Sequence, residues 1–318
     1  MRQPHNKIVL YHGVTGERAG GIFNYRGKFI SPDAFAKQLG HFKRHYTVLP
    51  LAELVSKLES GTLPQSALAI TFDDGYANNY QAAFPLLRAA GLPATFFITT
   101  GFIEGAPLGV DVIEHAIGTT THESLTLQLG SVAHTFQLRT RQECIAADVT
   151  VRVYFKTLSP SETKNFLCML IDKTGVDLTP VLPSSPYAPM SWAEMQKMEQ
   201  GGMTFAPHTV THSILSHASR AEAREEIARS QKKLAERLAR PLGIFAYPNG
   251  GKGDYTTETV AILKEQGYTA ALTTEPAYIP SPANAFALPR YTLDGTNNIY
   301  RFRLVMSGVY NLLIKFLR

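Results

Sequence analysis

A chain of 318 residues that is 44% apolar can bury one large core or two. Its net charge of +5 is a mild basic excess spread along the sequence, without the basic stripe and motif that nucleic-acid recognition requires, so no nucleic-acid partner is expected. Its two cysteines, Cys144 and Cys168, form no CxxC pair, which argues against a cysteine zinc site or a redox couple and fits a reducing compartment.

Only four apolar residues, 8–11, follow the polar start, too few for a signal-peptide core. No run approaches the roughly 18 apolar residues of a membrane span. A cytoplasmic location is therefore the expectation. Residues 7–11 read as a first strand, which delivers His12 at its end. A helix is predicted over 31–44, with Ser31 as cap and Pro32 in the first turn. Strand 46–49, helix 51–60 and strand 67–72 follow, then helix 79–90 and strand 94–99.

Residues 103–187 break this rhythm and read as an insertion covering one end of the fold. They hold alternating runs at 125–129 and 132–138 and an apolar-striped helix at 161–171. The alternation then resumes: helix 191–199, strand 203–206, helix 220–239, strand 243–247, helix 256–266, and strands at 269–273 and 285–288. Strand and helix in turn imply an α/β protein with a parallel sheet, and seven or eight units suggest a barrel related to the TIM type. No GxGxxG or GxxxxGK follows a strand, which removes support for nucleotide binding. Residues 300–318 carry four basic residues, no acids and many large apolar ones. They predict a basic amphipathic helix that either closes over the barrel or makes peripheral contact with an anionic membrane surface on the cytoplasmic side.

Three segments carry chemistry. Strand 67–72 runs into Asp73-Asp74-Gly75. Successive strand residues face opposite sides, so one acid can ligate a metal while its neighbour reaches a water; capping of the next helix is the plainer alternative. His208 and His212 lie four apart after a short strand-like run. On one helical turn they would share a face and could reach one ion, and an Asp with two His leaves coordination positions open for water and substrate. Strand 243–247 ends in Pro248-Asn249-Gly250-Gly251, a turn that either aims a backbone N–H into a barrel mouth or is an ordinary surface turn.

Together these segments resemble the NodB-homology polysaccharide deacetylases, carbohydrate esterase family 4. Residues 71–75, TFDDG, are similar to the family's first motif, 208–212 to its second, H-[ST]-x-x-H, and 245–250 stand in place of its third. The likeness covers about 65–102 and 188–290. It implies a distorted (β/α)7 barrel over 1–318 with 103–187 inserted. It further implies a divalent metal, zinc or else cobalt or nickel, held by Asp74, His208 and His212. Asp73 would be general base, and the Asn249 N–H would bind the oxyanion. The implied substrate is an N-acetylated sugar, oligosaccharide or glycan intermediate, from which acetate is removed.

Departures from the pattern matter. Ala246 stands where the family has an Arg that holds the catalytic acid, and Arg290 is the candidate replacement. The late Asp-Trp and Leu-x-His motifs are missing: the one tryptophan, Trp192, precedes the second motif, and no histidine follows His217. The acid for the leaving amine is then expected from His12, which resembles the Tyr-His opening of the rearranged poly-N-acetylglucosamine deacetylases. Two alternatives remain at this stage. One is a non-catalytic carbohydrate-binding protein on the same fold. The other is a deacylase or deformylase of a lipid-linked or non-sugar amide.

Overall fold

The computed structural model describes residues 6–17, 20–178, 186–280, 282–293, 295 and 297–307. In chain order the strands are β1 (Lys7–Tyr11), β2 (Gly13–Val14), β3 (Phe29–Ile30), β4 (Thr47–Val48), β5 (Ala67–Phe72), β6 (Thr95–Ile98), β7 (Ser124–Leu129), β8 (Val132–Gln137), β9 (Thr204–Pro207), β10 (Ile244–Ala246), β11 (Ala270–Leu272) and β12 (Tyr291–Thr292). The helices are α1 (Pro32–His45), α2 (Leu51–Glu59), α3 (Phe84–Ala90), α4 (Thr100–Ile103), α5 (Gly109–Thr119), α6 (Arg141–Phe155), α7 (Pro160–Thr174), α8 (Trp192–Gln200), α9 (Arg220–Arg237), α10 (Thr257–Glu265) and α11 (Ile299–Met306). Local chemistry sets several starts. Ser31 accepts from the Ala34 N–H ahead of α1, and capping boxes open α6, α7, α8 and α9.

The main sheet is parallel in the order β12-β1-β5-β6-β9, with β4 on β5, and β10 pairs with β11 in a separate parallel ladder. β1 and β5 are buried along their whole length, as strands covered on both faces must be. Their alternate residues part between two cores. Val9, Tyr11, Leu68, Ile70 and Phe72 pack under α1 and α3. Ile8, Ala67, Ala69, Phe97, Ala206, Ala246, Leu272 and Leu288 meet in a second cluster of smaller side chains. That convergence is what a barrel interior requires. The ladder is not continuous, however. Between β9 and β10 the described residues give one backbone–backbone bond at the seam, from the Leu242 N–H to the Phe205 carbonyl at 2.8 Å. The described residues thus show the expected parallel strand order and a shared interior, but trace no closed seven-stave ladder.

Three expectations change in detail. The strand placed at 285–288 is a 3-10 turn, Ala285–Ala287, capped by the Asn284 side chain, and only Leu288 bridges to Leu272. The strand itself lies just beyond, at β12, on β1. Helix 79–90 starts as a π turn, Asn79–Ala83, before α3. Segment 103–187 contains the β7–β8 hairpin and α7 as expected, and also α5 and α6. It closes around its own apolar cluster, including Ile113, Leu127, Val151 and Leu170. Of the predicted helix over 300–318, the described part is α11, whose Phe302, Val305 and Met306 pack into the main core; 308–318 lie outside the described residues.

Candidate metal centre

Because the strands run parallel, their carboxyl ends gather at one end of the fold, and the sequence-predicted site residues follow those ends. Asp73 and Asp74 leave β5, His208 leaves β9, Asn249 follows β10, and Arg290 sits between Leu288 and β12. The chain turns sharply there. Asp74, Thr209, His212 and Asn249 all adopt left-handed backbone conformations, with φ of 77°, 64°, 60° and 58°. They are four of the six described non-glycine residues that do so, and such strain persists only where surroundings hold it. Gly250 completes the last turn at φ 70°, where a Cβ would come within 2.9 Å of the Thr274 nitrogen.

This backbone corrects the expectation that His208 and His212 share a helical turn. Residues 208–214 form an irregular loop, because left-handed residues at 209 and 212 break any right-handed helix. The loop is fastened instead. His208 N–H donates to the Ile98 carbonyl at 2.9 Å, and Gly101 N–H donates to the Val210 carbonyl at 2.8 Å. The Glu226 carboxylate accepts from the Val210 and Thr211 N–H groups at 2.8 and 2.9 Å.

Asp74, His208 and His212 nevertheless converge, with one ligand atom from each lying within 4.8 Å of the others. Asp74 Oδ1 is 3.3 Å from His212 Nε2 and 3.7 Å from His208 Nε2. His208 Nδ1 lies 2.7 Å from the Ala246 carbonyl, which can only accept, so Nδ1 carries the proton and Nε2 presents its lone pair to the centre. Asp74 Oδ1 is buried and has no hydrogen-bond partner. An orphaned carboxylate oxygen facing two imidazole nitrogens is costly as it stands. It fits a divalent cation, and one Asp with two His is a donor set suited to zinc with positions left open.

Burial alone would push the Asp74 carboxyl up, but electrostatic interaction with His212 first, then with Lys28, His12 and His208, holds it well below the usual carboxylate range. His212 is pushed down to about 4, chiefly by burial, with Asp74 opposing and His208, Lys28 and His12 adding to the fall. His12 therefore lies within electrostatic reach of the centre, on the residue that follows β1.

Asp73 is held by a different cation from its neighbour's. Arg290, fully buried, places Nη1 2.7 Å from Asp73 Oδ1 and Nη2 2.8 Å from Oδ2, a two-pronged fork. Arg290 Nε donates to the Thr273 carbonyl at 2.9 Å, which fixes the fork's plane. Asp73 Oδ2 is also 3.9 Å from His208 Nε2, so it borders the metal position.

Lys28 carried no sequence signal and is absent from the expectations. It reaches in from the loop before β3, with Nζ 3.7 Å from Asp74 Oδ2, 2.8 Å from Asp111 Oδ1, and bonded to the Tyr76 hydroxyl. Asp74 thus turns one oxygen to the histidines and the other to a lysine. Burial opposes the Lys28 charge, but Asp111 and Asp74 more than offset it, so its pKa is raised. Glu226, which pins the histidine loop, was equally silent in sequence. No motif marks a residue whose partner lies on another element.

Comparison with known proteins places the chain. The family model described as polysaccharide deacetylase matches residues 60–135 and 150–271. A Bacillus subtilis relative named as a polysaccharide deacetylase, YxkH, is 22% identical over 283 residues, covering 89% of this chain and 69% of its own. The poly-β-1,6-N-acetyl-D-glucosamine N-deacetylase of Escherichia coli is 31% identical over 97 residues, 29% of this chain but only 14% of that protein. Among solved structures, the Streptococcus pyogenes deacetylase PplD, in complex with acetate, superposes with a TM-score of 0.60 at 20% identity, over 94% of this chain and 97% of that one, a likeness of fold. With a family model matching well over half of its residues, in the stretches that carry Asp73, Asp74, His208, His212 and Asn249, the chain belongs to the polysaccharide deacetylase family.

Proposed function

We propose that the protein is a metal-dependent N-deacetylase of an acetylated sugar or glycan intermediate. The observation that carries this reading is the unpartnered, buried Asp74 Oδ1 set against two imidazole Nε2 atoms, with a separately anchored carboxylate, Asp73, beside it. Family membership and the N-acetylglucosamine polymer named for the E. coli relative support the substrate class.

A divalent ion held by Asp74, His208 and His212 would supply a Lewis acid that lowers the pKa of water and polarises an amide carbonyl. Asp73 takes the proton of the attacking water. Its Oδ2 still has a lone pair free after the Arg290 bond, since each carboxylate oxygen can accept twice. Arg290 keeps that carboxylate from swinging onto the centre as another ligand. The Asn249 N–H, set by its left-handed turn, donates to the developing oxyanion, a contribution typically of about 3 kcal/mol. His12 returns a proton to the leaving amine, without which an amide C–N bond does not break readily. Acetate and a free amino sugar result.

The test is Asp73→Asn in zinc-loaded protein. Metal content should stay at one ion per chain while acetate release from acetylated oligosaccharides falls by at least about 100-fold. Near wild-type turnover in that variant would remove Asp73 from the mechanism. Absence of bound metal in the wild type would remove the whole reading.

A further inference from the structure

Beside the metal centre a cavity of about 450 Å³ opens between the barrel end and the inserted segment. His212 and Asn249 are among its lining residues, so it is continuous with the site described above. Its far wall comes from α5, α6, α7 and the chain between them: Leu108, Val112, Phe155, Leu158, Leu167 and Ile171. Two more lining residues are Lys156 and Lys164, and among the described residues no carboxylate lines the cavity.

An acetyl methyl needs a small fraction of this space; the volume falls within the range of sites for ligands of drug size. A glycan strand could use the hydroxyls of Thr99, Thr163, Thr211 and Ser213 that also line the cavity, but it would leave the aliphatic and aromatic wall that makes up most of the lining without a partner. An apolar chain alone would explain the wall but not the two lysines. An apolar chain that carries an anion explains both.

We propose that this cavity receives the hydrocarbon chain of a lipid phosphate, with Lys156 and Lys164 matched to the phosphate and the linked N-acetylated sugar presented at the metal centre. The inference rests on the deacetylase reading and narrows its substrate to a lipid-phosphate-linked sugar. The inserted segment then has a purpose that the barrel alone does not give it: it builds the apolar half of the substrate site.

The experiment uses the full chain loaded with zinc and titrates it calorimetrically with octyl, decyl and dodecyl phosphate below their micelle concentrations. Affinity should rise about tenfold for each two methylenes added, from the usual gain per buried methylene. Dodecanol should bind at least about tenfold more weakly than dodecyl phosphate, and Lys156→Glu with Lys164→Glu should abolish that difference. Cys168 lines the same cavity and is exposed to solvent, so Cys168→Trp should fold and weaken every chain length by intruding on the space.

In turnover, N-acetylglucosamine linked to dodecyl phosphate should show a lower KM than free N-acetylglucosamine. Affinity independent of chain length, or equal for phosphate and alcohol, would overturn the proposal. So would a preference for N-dodecanoylglucosamine over the lipid-linked acetyl sugar, because the chain would then be the acyl group. Acetate release from soluble sugars without any dodecyl phosphate binding sinks the lipid proposal and leaves the deacetylase standing. Tight, chain-length-dependent binding without acetate release from any sugar supports the cavity and sinks the deacetylase.

Discussion

Arg290 is the residue whose chemistry is least replaceable. Two parallel bonds hold Asp73 in one orientation, and a lysine can supply the charge but not the planar fork. Arg290→Lys should keep the metal and lower kcat by about 100-fold, the scale expected when a reacting group is misplaced by roughly 1 Å. Arg290→Met should instead unfold readily, losing about 3–5 kcal/mol, because it strands a buried carboxylate; urea melts of the two variants distinguish the cases. His212 supplies a second prediction, for metal-free protein. Its folded pKa, about 4, lies below the ordinary 6.5, so on acidification the unfolded chain takes up a proton that the folded chain refuses. The stability it contributes is complete above pH 6.5 and is lost as the pH falls towards 4. Asp74, also held low, acts in the same direction at lower pH. Metal-free wild type should therefore lose stability more steeply than His212→Gln across that window, and parallel denaturation curves would disprove it. The acids and histidines were legible in the sequence because each lies in a short local pattern. Lys28 was not, since its meaning comes from Asp74 and Asp111, distant in sequence.

At the scale of elements, α5 does more than cover the fold. Its Asp111 grips Lys28, and its Gly118 lets the loop that carries Lys28 lie against the helix. A Cβ on Gly118 would meet Ile22 Cγ1 at 2.8 Å, and one on Gly21 would meet the Gly118 carbonyl oxygen at 2.2 Å. Gly118→Val should push this loop away and draw Lys28 off Asp74. Amide exchange over residues 20–30 should accelerate, at a stability cost of about 1–3 kcal/mol from overpacking. Unchanged exchange there would show that the loop does not depend on α5. The sequence pattern marked the alternating runs that pair as the β7–β8 hairpin, because period-two alternation is a strong signal. It misplaced the final strand: the apolar run at 285–288 is held as a 3-10 turn by the Asn284 side chain, and only then does the chain join β1. The HxxxH spacing likewise suggested a helix where left-handed residues make a loop, since spacing alone does not report φ.

At the scale of the whole molecule, the metal position joins segments from β5 and β9, and an ion bound there acts on the stability of the entire chain. Removing the metal with a chelator should lower Tm, reversing a stabilisation of about 2.7 kcal/mol at a free ion concentration 100 times Kd. His208→Ala should melt at the same temperature with and without chelator; a shift in that variant would place the ion elsewhere. The parallel order was readable from the alternation of strand and helix, while the open seam between β9 and β10 depends on pairing that no residue pattern encodes. The fork between Arg290 and Asp73 also has a consequence for synthesis. Asp74, His208 and His212 have all left the ribosome's peptidyl centre by residue 212, but Arg290 follows about eighty residues later, on the order of ten seconds at ordinary elongation rates. On the proposed reading, a nascent chain would therefore acquire its ion-binding side chains well before its base is anchored; the capacity to hold metal would precede the capacity to hydrolyse, and hydrolysis would wait for β12 to arrive.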